Sequence, residues 1–116
     1  MGLLNIFKLF SSKKENKNRT FLEEERINFI NQSKSKLYDA IFEQAFKQMK
    51  SDFINNKGES YIYVNIHNLS ISNMDKDMKH QVSLKASYEA AQKLGLKARI
   101  NLSIDYPYIQ IRAYYD

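Results

Sequence analysis

Histidines and carboxylates are the side chains of this 116-residue chain that could hold a metal ion. The two histidines, His67 and His80, are too far apart to share one turn of a helix, and the chain has no cysteine. A zinc site needs three or four such ligands that converge on the ion. Asp75 and Asp77 stand at the start of a predicted helix, where carboxylates stabilise the positive end of the helix dipole. The sequence therefore predicts no metal site.

Phosphate binding and nucleophilic catalysis each need a loop that this sequence does not offer. The three glycines stand at positions 2, 58 and 95, whereas a phosphate-binding loop needs closely spaced glycines that open a helix. The serines lie outside any sharp nucleophile turn. Glu23, Glu24 and Glu25 are consecutive on a predicted helix, so their carboxylates point apart. We therefore expect a protein that has no cofactor and is not an enzyme.

Tyrosines and arginines that alternate with apolar residues form the strongest functional pattern. In residues 60–67, Ile62, Val64 and Ile66 alternate with polar or aromatic residues, and the same period of two recurs in 98–104 and 108–114. This period is typical of half-buried β-strands. We expect one sheet face to be apolar and the other to carry the partner-binding residues, which are Tyr61, Tyr63, His67, Arg99, Tyr108, Arg112 and Tyr114.

Such a face suits two kinds of partner. Tyrosine and arginine are enriched at protein interfaces, and tyrosine rings can also stack on unpaired bases while arginines bind phosphates. The order strand, helix, hairpin resembles the first half of an RNA-recognition motif, which implies RNA binding on the sheet face. Charge favours a protein partner. The net charge is +5, but residues 1–20 hold five basic residues against one acidic residue, which leaves +1 for residues 21–116.

Helical periodicity predicts a long first helix. Thr20 and Glu23 have the spacing of a capping box, which predicts a start at Thr20. Apolar residues recur at helical spacing from Ile27 to Phe53, with a polar gap over 31–36 that allows one helix or two. We expect Gly58 to supply the left-handed residue that ends this segment.

A second helix is predicted between the first strand and the hairpin. Asn73 or Asp75 provides the N-cap, and Gly95 provides the stop. Its apolar residues are expected to face the sheet, and they are Met74, Met78, Val82, Tyr88, Ala91 and Leu94.

These elements predict an α+β fold, in which a long N-terminal helix precedes a β-α-β-β unit. We expect a three-stranded sheet with the last strand in the middle and both helices on one face. Residues 20–116 form the single predicted domain. Residues 1–19 are predicted to be an apolar arm followed by a basic linker.

The arm has its own hypotheses. Its large apolar side chains, followed by a basic stretch, could lie in a membrane interface, or they could dock on the domain or on a partner. Gly2 is no myristoylation site, because position 6 is Ile where that motif needs Ser or Thr. The arm residues expected to contact a membrane or partner are Leu3, Leu4, Ile6, Phe7 and Phe10.

The leading hypothesis is a small non-catalytic interaction protein, a regulator or inhibitor of the kind that phages and mobile elements encode. The absence of cysteine suits the reducing cytoplasm. The alternatives are a module that binds single-stranded nucleic acid through the sheet face and a peripheral membrane protein attached by its arm. The expected partner is another protein, with a second copy of the chain, nucleic acid and a membrane surface as further partners.

Overall fold

A computed structural model describes residues 17–71 and 74–115, with side chains from Thr20 onward. The elements are α1 (Lys17–Ile54), β1 (Glu59–Asn65), a 3₁₀ turn (His67–Leu69), α2 (Lys76–Lys93), β2 (Ala98–Asp105) and β3 (Tyr108–Tyr115). This order confirms the predicted α+β class and the long first helix followed by a β-α-β-β unit. The predicted arm residues Leu3, Leu4, Ile6, Phe7 and Phe10 lie outside the described residues.

Residue contacts divide the chain into two compact units, 1–31 and 32–116. In the first unit the described residues belong to the N-terminal part of α1, and Phe21, Leu22 and Ile27 are exposed there. Ile27 was expected in a buried stripe, and this expectation is wrong. A single helix cannot bury its own side chains unless another element packs against it. The predicted domain boundary at residue 20 stays a prediction.

The sheet has the predicted strand order in the second unit. The order is β1-β3-β2, and β3 pairs antiparallel with both neighbours. β1 and β2 therefore run parallel to each other, with α2 as the connection between them. The inward side chains Ile62, Ile109 and Ile111 are at most 3% exposed, which confirms the alternation read from the sequence.

The central part of α1 places every fourth residue in the core. Leu37, Ile41, Ala45 and Met49 are fully buried. α1 is one continuous helix, so the polar gap over 31–36 is no break. Ser33 lies on the same stripe and is 2% exposed, because its small side chain fits a position where a longer polar residue would not.

α2 packs through small side chains. Ser83, Ala86, Ser87 and Ala90 are buried, which brings the helix close against β2. Tyr88 was expected to face the core, but it is 43% exposed. Its hydroxyl instead accepts the Ile100 N–H at 3.3 Å.

The start of α1 differs from the prediction. α1 is described from Lys17, so Thr20 lies within the helix and is not its N-cap, and Glu23, Glu24 and Glu25 lie beyond the first described turn. Residues 17–19 are Lys, Asn and Arg. Lysine and arginine are good helix formers, so the helix can include residues before Thr20.

Both helices end in the same hydrogen-bonding pattern. At the end of α1 the left-handed residue is Asn56 (φ 62°), which corrects the expectation that Gly58 has this role. Lys57 N–H donates to Asp52 O at 2.8 Å and Asn56 N–H to Phe53 O at 3.0 Å, so two otherwise free carbonyls are paired. Asparagine tolerates the left-handed region well enough to replace glycine here.

The ends of α2 agree with the sequence. The Asp75 carboxylate accepts the Met78 N–H at 2.8 Å, so Asp75 is the N-cap. Gly95 has φ 75° and follows the last turn, as predicted. Leu96 N–H donates to Ala91 O at 2.9 Å, which completes the glycine C-cap.

A tyrosine joins the two helices. The Tyr38 hydroxyl on α1 donates a hydrogen bond to the Glu89 carboxylate on α2. This hydrogen bond, together with burial and the negative charge, raises the pKa of Tyr38 to about 12. The Tyr38 ring stacks on Phe42, and Phe42 stacks on Phe46, each with centroids 5.9 Å apart.

Candidate functional site

The side chains that point away from the helices form one exposed sheet face. They lie in four rows, taken in the order β1, β3, β2. The rows are Glu59, Tyr114 and Arg99; Tyr61, Arg112 and Asn101; Tyr63, Gln110 and Ser103; Asn65, Tyr108 and Asp105. We call these twelve residues the tyrosine face. It contains every predicted site residue of the sheet except His67.

Arg112 contacts three neighbouring side chains of the tyrosine face. Its guanidinium carbon is 4.7 Å from the ring centroids of both Tyr61 and Tyr114. Its Nε and Nη2 donate to the same Glu59 oxygen at 3.1 and 2.9 Å. Arg99 lies over the Tyr114 ring, with its guanidinium carbon 5.2 Å from the centroid. Cation–π contacts and a paired carboxylate therefore hold Arg112 in one position before any partner binds.

The tyrosine face is electrically balanced. It carries two acidic side chains, Glu59 and Asp105, and two basic ones, Arg99 and Arg112. The hydrogen bond from Arg112 to Glu59 raises the pKa of Arg112, and burial opposes this shift only in part. The positive charge of Arg112 is thus present but already paired.

Two tyrosines of the face are free. Tyr63 and Tyr108 are 61% and 45% exposed, and neither makes a ring contact or a side-chain hydrogen bond with another described residue. Beside Tyr63 lies a shallow depression of about 260 Å³ in the middle of the sheet. Its polar and aromatic lining comes from Tyr61, Tyr63, Asn101, Ser103, Gln110 and Arg112. This volume is below the usual range for small-molecule pockets and suits one side chain of a larger partner.

His67 does not belong to the tyrosine face. β1 ends at Asn65, whose side-chain oxygen accepts the His67 N–H at 2.8 Å and turns the chain into the 3₁₀ segment. The imidazole Nδ1 lies 3.2 Å from the Tyr106 hydroxyl at the hairpin turn. The prediction that His67 continues the strand is therefore wrong, because an asparagine side chain competes for the backbone there.

Glu59 is a residue of the candidate site that the sequence analysis missed. The predicted strand began at Ser60, one residue too late. Extending the alternation back from Tyr61 by two positions would have placed Glu59 beside Arg112. Without Glu59, Arg112 looked like a free cation.

A second polar cluster lies beneath the sheet and has a structural role. Asp52 is 5% exposed, and the Gln48 amide donates to both of its oxygens at 3.1 Å. Nearby, the Ser60 and Tyr115 hydroxyls share a hydrogen bond. Burial, aided by the Asp52 charge, raises the pKa of Tyr115, and the bond to Ser60 opposes this. Because Ser60 is 1% exposed, its hydroxyl cannot reach a substrate.

Two further tests concern the described part of the chain alone. Within residues 17–71 and 74–115, no three His, Asp or Glu side chains converge as a metal site would require. Of the helices described, neither α1 nor α2 is both long and apolar enough to cross a membrane.

Comparison with protein-family models, with curated proteins and with solved structures finds no match for this chain.

Proposed function

We propose that this chain is a small non-catalytic protein that binds another protein through the tyrosine face. The observation that carries the proposal is the position of Arg112, paired with Glu59 and held between two tyrosine rings on an exposed sheet. Binding usually costs the entropy of ordering long side chains, and a side chain that is already ordered avoids this cost. Arginine and tyrosine are, with tryptophan, the residues most enriched among interface hot spots.

The rest of the face supports the same proposal. Around the tyrosines lie Asn65, Asn101, Ser103 and Gln110, which can each donate and accept hydrogen bonds. Tyrosine with serine and asparagine is also the composition of antibody binding sites, where rigid aromatic rings give contact area and small polar groups adapt to the partner. A regulator or inhibitor of the kind found in phages and mobile elements would use such a face, and we propose the cytoplasm as its compartment.

Charge makes single-stranded nucleic acid the second candidate. The free rings of Tyr63 and Tyr108 could stack on bases. Nucleic-acid binding, however, derives much of its affinity from lysines and arginines that neutralise phosphates. The tyrosine face has no net positive charge, and Glu59 already pairs Arg112. The membrane hypothesis depends on residues 1–19 and stays a prediction.

A capture experiment with matched variants tests the proposal. The immobilised full chain is mixed with nuclease-treated lysate of the source organism. We expect it to retain a protein that the double variant Tyr63→Ala, Tyr108→Ala retains at least about 30-fold less well, since truncating even one hot spot costs about 2 kcal/mol. The control Ile54→Ala removes a side chain that is 70% exposed on α1, away from the face, and should retain the protein fully.

Two outcomes of the capture would contradict protein binding by the tyrosine face. Equal retention by all three chains would place any contact elsewhere. Retention from untreated lysate but not from nuclease-treated lysate, together with oligonucleotide binding that falls steeply with salt, would favour the nucleic-acid candidate.

A further inference from the structure

Among the described residues, one side of the β1 backbone has no partner strand. At the two ends of the β1·β3 pair, Ile66 N–H donates to Pro107 O at 2.8 Å and Tyr115 N–H donates to Gly58 O at 3.2 Å. Hydrogen-bonded positions alternate along an antiparallel pair, so Ile62 and its even-numbered neighbours bond to β3. The N–H and C=O groups of Tyr61 and Tyr63 therefore point away from β3, toward the open edge of the sheet.

The two edges of the sheet differ in their protection. On β2, the Tyr88 hydroxyl accepts the Ile100 N–H, and α2 lies close by. β1 has seven residues paired one to one with β3, and it contains neither proline nor lysine. Proteins usually protect edge strands with such residues, with bulges or with a covering element. An edge of this length without them is a site where another strand can pair.

Open space lies between the β1 edge and α1. Two depressions of about 450 and 310 Å³ adjoin the edge, the first beside Tyr61 and Gln48 and the second beside Tyr63 and Gln44. Because the later α1 residue, Gln48, lies beside the earlier β1 residue, Tyr61, α1 runs antiparallel to β1. Gln44 and Gln48 therefore lie on either side of the level of Ile62. Both glutamines are exposed and can donate as well as accept hydrogen bonds.

We propose that this edge binds the β1 edge of a second copy of the chain, antiparallel about a two-fold axis at Ile62. The register places Tyr61 opposite the second copy's Tyr63, and Glu59 opposite its Asn65. Like charges do not face each other in this register, and aromatic residues make favourable cross-strand pairs. The same axis brings Gln44 toward the second copy's Gln48, where the amides complement each other.

A second copy fits the edge better than an unrelated strand because the edge is self-complementary, as a two-fold interface requires. The product is a six-stranded sheet in the order β2-β3-β1-β1-β3-β2. It carries two tyrosine faces side by side. This inference is independent of what the tyrosine face binds.

Disulfide trapping tests the register, and the chain is suited to it because it has no cysteine of its own. Directly opposed residues of an antiparallel pair lie about 5.5 Å apart at Cα, within the range that a disulfide spans. We expect an oxidised mixture of Tyr61→Cys and Tyr63→Cys chains to form a linked dimer. Each variant alone should link poorly, since its two cysteines are offset by two residues. A mixture of Tyr61→Cys with Gln110→Cys is the matched control, because Gln110 lies on the central strand.

Sedimentation equilibrium of the full chain tests the assembly without any variant. The expected mass is twice 13.7 kDa. Tyr63→Pro removes an N–H that only the second copy uses and should give a monomer, whereas Tyr63→Thr keeps that N–H and should remain a dimer. A monomer at every concentration, or equal disulfide formation in all mixtures, overturns the proposal. Either result leaves the capture experiment on the tyrosine face unaffected.

Discussion

The Ile111→Ala variant is expected to lose about 2–5 kcal/mol of unfolding free energy, whereas Gln110→Ala should change it by less than about 0.5 kcal/mol. The two residues are neighbours on the central strand. Ile111 is 1% exposed and points toward the helices, while Gln110 points into the tyrosine face. Truncating Ile111 removes buried methyl groups and leaves a cavity that close-packed neighbours fill only in part.

Urea unfolding of the two variants and the parent chain measures this difference. Both substitutions end in alanine on the same strand, and the difference in strand propensity between isoleucine and glutamine lies within about 1 kcal/mol, below the expected loss. A large loss for Gln110→Ala, or a small one for Ile111→Ala, would show that the strand presents its sides the other way. The tyrosine face would then be part of the core.

The Tyr38→Phe variant is expected to lose about 1–2 kcal/mol of unfolding free energy at neutral pH. It leaves the half-buried Glu89 carboxylate without its donor, and a hydrogen bond to a charged group is worth more than a neutral one. Tyr63→Phe is the control, since the Tyr63 hydroxyl makes no hydrogen bond with another described residue.

The loss in Tyr38→Phe should depend on pH in a defined direction. The folded chain keeps Tyr38 protonated up to a pKa of about 12, while the ordinary value is 10.0. The stabilisation is therefore complete below pH 10 and disappears as the pH rises to about 12. Urea unfolding of parent and variant across this range should show their difference shrinking. A difference that stays constant would mean that the hydroxyl does not bind Glu89.

The alternation of the strands could be read from the sequence because it is a local property. Ile109, Ile111 and Ala113 alternate with polar residues whatever the rest of the chain does, so the inward side of β3 followed from the period alone. The middle position of β3 was also predicted from the sequence. A short hairpin makes β3 the neighbour of β2, and a split arrangement then puts β3 between β2 and β1.

Other features could not be predicted, because tertiary packing decides them. Ser83 and Ser87 are buried on α2, yet serine gives no hydrophobic signal, and the close approach of helix and sheet selects them for size. Tyr88 was expected to face the core because its ring is largely apolar. So large a ring does not fit where α2 lies close to the sheet. Asn65 ends β1 through its own side chain, and this hydrogen bond removed His67 from the predicted site.

The pairing of Glu59 with Arg112 adds most to the functional interpretation. From the sequence, Arg112 was a candidate contact for a protein partner or for phosphates. In the fold, the carboxylate lies 2.9 Å from its Nη2, so the face is neutral and its arginine is fixed. Neutrality and rigidity favour a protein partner over nucleic acid.

Photo-crosslinking from the centre of the tyrosine face, inside living cells, is the most direct test of protein binding there. Gln110 is replaced by a benzophenone amino acid, since it is exposed on the central strand and lies in the middle of the tyrosine face. We expect a discrete, nuclease-resistant adduct with a protein other than this chain, and none when the same amino acid replaces Ile54. No adduct from position 110, or an adduct that nuclease digests, would contradict protein binding by this face.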